Sequence, residues 1–429
     1  MGVLRSSGFR GWLSASLAFA ALACGGGGAG GAGAAGAGVD GGVGGAGAGT
    51  SDAGGSAGST GGRPPSDAGG TTTAGDGAAG GDPSSPSGLA AKLGKPGHLL
   101  VGLGGADATT VTAQGVTAEL YERYLVGVGA NAWPTWNSPS GAYVDVVAAA
   151  ADGLHAVPMF TLYQMATNGD GNLTDLTDAT FMGPYWDNVK LLFQRLGAYG
   201  KPALVNFEPD FWGYAQQKSP GGDPTKLAAS VTLAADCAPL SDDVAGVAHC
   251  LLTIARKYAP QAYVGFSPST WGGSTIDSVV AFMKSVGAGE GDIVVMQTLD
   301  RDAGCFEAAT ESDCQRQGSG WYWDETNATH PNFQDHLATA KAFYQGLARP
   351  LVWWQTPMGV PSATPGGTAN HYRDNRVHYF LTHPGELAAV GGLGVVFGAG
   401  AANQATLETD NGQYKTLSTA YFASPAPLL

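Results

Sequence analysis

The chain has 429 residues, of which 69 are Gly and only 13% are charged, and its formal net charge is −14 with a pI near 4.8. An acidic chain repels the phosphate backbone of DNA and RNA, so the composition disfavours a nucleic-acid-binding protein. The length excludes a single small module.

The first 24 residues have the pattern of an export signal. Arg5 and Arg10 precede an apolar run from Trp12 to Ala23, which is too short to stay in a bilayer as a spanning helix. The run ends in Ala21-Leu22-Ala23-Cys24, which resembles the lipobox of bacterial lipoproteins. The resemblance implies that Cys24 is lipidated, which would anchor the exported protein at the outer membrane or cell surface by its lipid alone. An ordinary cleaved signal peptide is the alternative.

Residues 25–88 are predicted to form a flexible linker. They contain 27 of the Gly residues and no aromatic residue. Such a segment cannot bury enough apolar surface to offset the entropy lost on ordering. Residues 89–429 remain, and these 341 residues are enough for one large domain, which we expect to be monomeric.

With Cys24 assigned to the lipid, four cysteines are left in the domain. Short spacing favours the disulfides Cys237–Cys250 and Cys305–Cys314, which suit an oxidising compartment. A zinc site is the alternative, but the spacings lack a Cys-x-x-Cys pair. We therefore predict no metal and no cofactor.

Apolar runs alternate with amphipathic segments along the domain, which predicts eight strands and eight helices. Runs without polar alternation are typical of parallel strands that are buried on both faces. The pattern indicates a (β/α)8 barrel, with an open doubly wound sheet as the alternative. The predicted strands are His98–Leu103, Gly127–Ala132, His155–Leu162, Ala203–Phe207, Ala262–Phe266, Ile293–Gln297, Leu351–Gln355 and Gly394–Phe397.

Polar and aromatic residues follow most of these strands, where a barrel of this kind places its site. Aromatic rings bind the C–H faces of sugars, whereas amides and carboxylates bind their hydroxyl groups. The predicted contacts to a polysaccharide are Trp133, Trp136, Tyr163, Asn206, Trp212, Trp271, Gln297, Trp354 and Gln355.

The stretch Glu208-Pro209-Asp210 follows strand 4 directly and precedes two aromatic residues. Glycoside cleavage needs one carboxylic acid to protonate the leaving oxygen and a second carboxylate as nucleophile or base. Aromatic surroundings disfavour the charged form of a carboxylate, which suits Glu208 to the role of acid. A structural carboxylate that pairs with an Arg is the alternative.

The second carboxylate is sought at the ends of the other strands. Strand 7 ends in Gln355, an amide that cannot act as nucleophile, which favours inversion over retention at the sugar. Asp300 and Asp302 after strand 6 and Asp210 itself are the candidates, and Asp300 is preferred because it lies three residues beyond Gln297. An alternative role for the two strand-6 residues is to organise the loop before Cys305.

The stretch from Val205 to Asp210 resembles the Glu-Pro-Asp signature of glycoside hydrolase family six, whose members are inverting cellulases with a distorted barrel. The resemblance implies that Asp210 is the general acid. We therefore expect a lipid-anchored hydrolase of glycosidic bonds. A barrel that binds glycan without cleaving it, and a hydrolase of amide or phosphoester bonds, are the alternatives.

Overall fold

The computed structural model describes residues 82–298, 323–359, 376–398 and 405–429. Eight parallel strands within them form a closed barrel in chain order, in which β1 also pairs with β8. This confirms the predicted (β/α)8 barrel, and a doubly wound sheet is excluded because it would be open. The strands are β1 Leu100–Gly104, β2 Leu120–Val126, β3 Val157–Tyr163, β4 Ala203–Phe207, β5 Ala262–Phe266, β6 Ile293–Gln297, β7 Leu351–Thr356 and β8 Gly392–Phe397.

Helices surround the barrel and connect successive strands. The longest, α4, begins at Ala179 after an Asp178 side chain that accepts from the N–H of Thr180, and it ends before Gly200 at a φ of 70°. The helices are α1 Pro86–Lys92, α2 Ala108–Gln114, α3 Ala142–Gly153, α4 Ala179–Tyr199, α5 Phe211–Lys218, α6 Val244–Tyr258, α7 Ile276–Ser285, α8 Phe333–Leu347, α9 Arg376–Thr382, α10 Pro384–Ala389 and α11 Gln413–Ala423.

Alternation along the strands decides which side chains face the barrel axis. Phe207 of β4 packs against Phe193 of α4 at a ring distance of 6.0 Å, and Trp353 of β7 donates to His336 of α8. Successive residues of a strand point to opposite faces. The neighbours Asn206 and Trp354 therefore point into the barrel.

The second predicted strand is wrong. Residues Gly127–Ala132 form no strand, because Gly127 and Gly129 have φ of 87° and 95°, outside the extended region. Strand β2 instead covers residues 120–126, within Thr117–Val126, where the sequence pattern predicts a helix. Leu120, Tyr124 and Leu125 repeat at helical spacing, but the strand lies between β1 and β3 and is covered on both faces.

Both ends of the described domain lie at the bottom of the barrel, where the strands begin. The N–H of Leu99 donates to the carbonyl oxygen of Ala426, and the N–H of Leu428 donates to that of Gly97, both at 2.9 Å. Residues 97–99 lead directly into β1. The C-terminal segment is therefore held next to the chain that enters the barrel.

The N-terminal predictions lie almost entirely outside the described residues, including Cys24 and most of the linker. Helix α1 begins at Pro86, after the Ser85 cap, and so lies partly within the segment predicted as linker. No helix among residues 82–298, 323–359, 376–398 and 405–429 is both long and apolar enough to cross a bilayer.

Two of the cysteines lie at bonding distance. The sulfur atoms of Cys237, in a short 3₁₀ turn, and Cys250, on α6, are 1.93 Å apart, and their Cα atoms are 5.4 Å apart. The Cα separation is ordinary for a disulfide. Cys305 and Cys314 lie outside the described residues.

Candidate functional site

Two carboxylates meet above the carboxyl ends of β3 and β4. The hydroxyl oxygen of Tyr163, the last residue of β3, lies 2.8 Å from Oδ1 of Asp170 and 3.2 Å from Oδ2 of Asp210. The separation of these two carboxylate oxygens is therefore at most the sum of the two distances, 6.0 Å. Asp170 and Asp210 are both partly exposed, so solvent reaches them.

A shallow pocket lies between the two loops that carry these carboxylates. The loop after β3 forms one wall, and the turn after β4 with the start of α5 forms the other. Gly171 lies so close to Tyr214 of α5 that an added Cβ would come within 2.7 Å of its ring. The pocket is lined by Met165, Ala166, Asp170, Gly171, Leu173, Pro209, Asp210, Phe211 and Tyr214.

An exposed aromatic surface continues from the pocket toward β5. Trp271 follows β5, is 38% exposed, and meets the ring of Tyr214 edge-on at a centroid distance of 4.7 Å. Flat aromatic rings suit the C–H faces of sugars.

The backbone of the turn after β4 explains where Asp210 points. Glu208 and Asp210 have φ of 46° and 67°, which non-glycine residues rarely adopt. Asp210 occupies the position before α5 where an Asp side chain commonly caps the helix, but it makes no such bond. Its Oδ2 lies 3.2 Å from the Tyr163 hydroxyl oxygen instead, so the unusual backbone aims the acid at the pocket.

Glu208 lies beneath the pocket, and the structure corrects its predicted contact with substrate. Its side chain is completely buried, and Oε2 accepts from the backbone N–H groups of Gln164 and Met165 at 2.9 and 3.0 Å. Burial raises the pKa of Glu208 to about 8, although the two amides and the Tyr185 hydroxyl lower it. A carboxyl group without exposed surface cannot reach a glycosidic oxygen in this structure.

A second buried carboxyl group, Glu122 of β2, lies inside the barrel. A Cβ on Gly104 of β1 would lie 2.7 Å from its Oε2, and the indole Nε1 of Trp354 is 3.4 Å from its Oε1. Burial raises the pKa of Glu122 to about 7, with Thr161 among the groups that lower it. Glu122 was not among the predicted site residues, because it lies within Thr117–Val126, a segment whose pattern predicts a helix.

Several buried polar atoms at the carboxyl ends of the strands form no hydrogen bond. Native proteins pair nearly all such atoms, so an unpaired group of them marks a place for water or a ligand. In the described part of the chain these atoms include Thr161 Oγ1, both amide atoms of Asn206, Gln297 Nε2, Gln355 Oε1 and Thr356 Oγ1.

Three further predicted contacts, Trp136, Trp354 and Gln355, lie against tyrosine side chains of the domain. Trp354 lies at the top of the barrel, where its ring centroid is 5.6 Å from that of Tyr124, and the amide of Gln355 donates to the Tyr124 hydroxyl. Trp136 is half-buried and packs edge-on against Tyr143 at 5.0 Å.

Two predicted contacts are wrong. Trp133 and Trp212 have no exposed surface and belong to the hydrophobic core. The indole of Trp212 donates to the carbonyl oxygen of Phe207 and its ring packs against Phe266 at 5.1 Å, so it cannot meet a ligand. Both were predicted because they follow strands in sequence.

Asp300 and Asp302 lie outside the described residues. Asp170 was missed because it lies seven residues beyond β3, and its only sequence signal is the flanking pair Gly169 and Gly171, which indicates a tight loop. In the described ranges, no group of three or more His, Cys, Asp or Glu side chains is arranged to hold a metal ion.

The chain matches no protein-family model, and no curated protein is similar to it. Solved structures do resemble it at low identity. One is an endoglucanase from Mycobacterium tuberculosis in complex with a cellobioside derivative, with 17% identity and a TM-score of 0.33 over 67% of this chain and 74% of that chain.

Two further structures have similar scores. An endo-β-1,4-mannanase from Thermotoga petrophila has 11% identity and a TM-score of 0.37 over 71% of this chain and 68% of that one. A D-allulose 3-epimerase from a Methylomonas species has 13% identity and a TM-score of 0.36 over 70% and 84%. At these values the similarities do not bear on the chemistry of the site.

Proposed function

We propose that the domain hydrolyses glycosidic bonds of a polysaccharide, and that Asp210 is the acid. The observation that carries the proposal is the open cluster of Asp170, Tyr163 and Asp210. A phenol has one proton to donate, and Asp170 is the closer acceptor. The Tyr163 oxygen can then accept a proton from Asp210, so the cluster accommodates Asp210 in the protonated form that a general acid requires.

In the proposed reaction, Asp210 transfers its proton to the glycosidic oxygen as the bond between that oxygen and the anomeric carbon breaks. Water attacks the anomeric carbon, and a second carboxylate takes the proton of that water. Asp170 lies on the opposite wall of the pocket from Asp210 and accepts a hydrogen bond from Tyr163. Asp300 is proposed as the carboxylate that activates water.

The substrate is proposed to lie across the aromatic surface of Trp271 and Tyr214. Its hydroxyl groups would pair with the amides of the partly exposed residues Gln297 and Gln355 at the top of the barrel. An acidic pocket selects neutral or cationic glycans over polyanionic ones, because a negative charge near Asp170 and Asp210 is repelled.

The test is a panel of neutral polysaccharides assayed for new reducing ends with three proteins: the wild type, Asp210→Asn and Asp187→Asn. Loss of a general acid lowers kcat by about 100- to 10,000-fold. Asp187 is an exposed carboxylate on α4, so its variant controls for the loss of one charge. We expect activity in the wild type and Asp187→Asn only.

Dinitrophenyl glycosides separate an acid from a structural residue. Their leaving group needs no proton, so Asp210→Asn should cleave them at nearly the wild-type rate. Equal losses on polysaccharide and dinitrophenyl substrates would contradict the role of Asp210. Glycan binding by a wild type that cleaves nothing in the panel would favour the binding-only alternative.

A further inference from the structure

Glu208 lies between the two loops that carry the open carboxylates. Gln164 and Met165, whose N–H groups it accepts, are the first two residues after β3, and that loop continues to Asp170. The backbone N–H of Glu208 donates in turn to the carbonyl oxygen of Leu162 at 2.8 Å. Glu208, in the turn after β4, thus makes three hydrogen bonds with the end of β3 and the two residues that follow it.

We propose that Glu208 is a positioning residue, which holds the loop after β3 against the turn after β4 and thereby sets the geometry of Asp170, Tyr163 and Asp210. The activity measurements that test this role rest on the proposed function, whereas the hydrogen-exchange measurements do not.

The contacts of Glu208 account for this role. Met165 and Pro209 line opposite walls of the pocket, and the Glu208 carboxyl group joins the segments to which they belong. Two buried N–H groups need an acceptor, and Oε2 supplies it. The positive φ of Glu208 and Asp210 persists only where surrounding bonds determine the backbone, which these three hydrogen bonds do.

The second carboxyl oxygen of Glu208, Oε1, indicates where the proton of a neutral Glu208 would lie. Oε1 of Glu208 and the hydroxyl of Tyr185 on α4 are both buried and make no hydrogen bond of good geometry. Tyr185 is the titratable side chain that faces Glu208 from α4, backbone amides face it from the loop after β3, and Asp210 follows on its own turn. A protonated Glu208 keeps Oε2 as acceptor for both amides and can direct its O–H toward Tyr185.

The test compares Glu208→Gln, Glu208→Ala and Glu208→Met. Gln keeps an acceptor oxygen for the two amides, whereas Ala and Met remove it, and Met fills the same space if Ala does not fold. Hydrogen exchange of the peptide that contains residues 164–170 is measured for each variant, together with kcat, KM and the pH profile on the best glycan of the panel.

We expect exchange to be at least about tenfold faster in the Ala and Met variants and near wild type in the Gln variant. Displacement of catalytic groups by about 1 Å can cost about 100-fold, so kcat should fall by that amount in Ala and Met with little change in KM. Gln should restore most of kcat. We also expect the wild type to lose activity above about pH 8, where the buried Glu208 becomes charged, and the Gln variant to lack this loss.

Two results would overturn the proposal. Unchanged exchange in the Ala and Met variants would show that Glu208 does not hold the loop. A Gln variant as inactive on polysaccharide as Asp210→Asn would show that the proton on Glu208 is needed for the reaction itself. If the exchange results are as expected but the wild type cleaves no glycan, the positioning role is supported and the proposed function fails.

Discussion

Three carboxyl groups near the top of the barrel have different surroundings and, for that reason, different properties. Asp210 is partly exposed and faces a phenol, Glu208 is buried against backbone amides, and Glu122 is buried beside an indole. Burial raises the pKa of both glutamates, to about 8 for Glu208 and about 7 for Glu122, where it outweighs the lowering by Arg123. Position along the sequence therefore does not decide which of them meets a ligand.

The raised pKa of Glu122 gives a test of stability against pH. A group whose pKa is higher in the folded than in the unfolded state stabilises the fold below its unfolded pKa, near 4.5, and this contribution is lost as pH rises through about 7. Glu122→Gln should thus be more stable than the wild type at pH 9, by on the order of a few kcal/mol, and no more stable at pH 4.

Urea denaturation at both pH values measures this difference. Asp187→Asn is the control, because Asp187 is an exposed carboxylate on α4. If Glu122→Gln and the wild type have the same pH dependence, Glu122 is not buried as the structure places it.

Among the secondary-structure elements, several strands were predictable from their continuous apolar runs, whereas β2 was not. Ala203–Phe207, Ala262–Phe266 and Ile293–Gln297 were predicted with the bounds that the structure shows. The alternation of a strand and the period of a helix overlap in a seven-residue segment such as Leu120–Val126, so the tertiary position of β2 decided the outcome.

The site was less predictable than the barrel. The sequence pointed to the turn after β4, because Glu208 and Asp210 follow an apolar strand directly. The sequence could not show that the positive φ of Glu208 turns this side chain away from the pocket. It also could not show that the loop after β3 brings Asp170 next to Tyr163. Both depend on contacts between loops that are separate in sequence.

The loop after β3 offers a matched pair of glycines that flank Asp170. Gly171 has a φ of 72° and its added Cβ would collide with Tyr214, whereas Gly169 has a φ of 111° with nothing within 4 Å of an added Cβ. Both Ala variants carry backbone strain of about 1 kcal/mol or more, and only Gly171→Ala also displaces Tyr214.

We expect Gly171→Ala to lower glycan affinity and kcat several-fold more than Gly169→Ala does. Titration by tryptophan fluorescence and initial rates measure the two effects. Equal behaviour of the two variants would contradict the packing of Tyr214 on this loop.

At the scale of the whole molecule, the cellular location is still a prediction. If Cys24 carries a lipid, the full-length protein expressed in a bacterial host should partition into detergent, and Cys24→Ser should move it to the aqueous phase. Mass spectrometry of the mature N-terminus checks the acyl groups. A wild type that stays in the aqueous phase would favour the cleaved signal peptide.

Both chain ends of the domain emerge at the bottom of the barrel, and this has a practical consequence. A bead or chip coupled directly to either end of the described domain is attached at that face, opposite Asp210 and Trp271. A fluorescent reporter fused after Leu429 would start from that same face, away from the pocket. Attachment of the domain through either of its ends should therefore leave the pocket unobstructed.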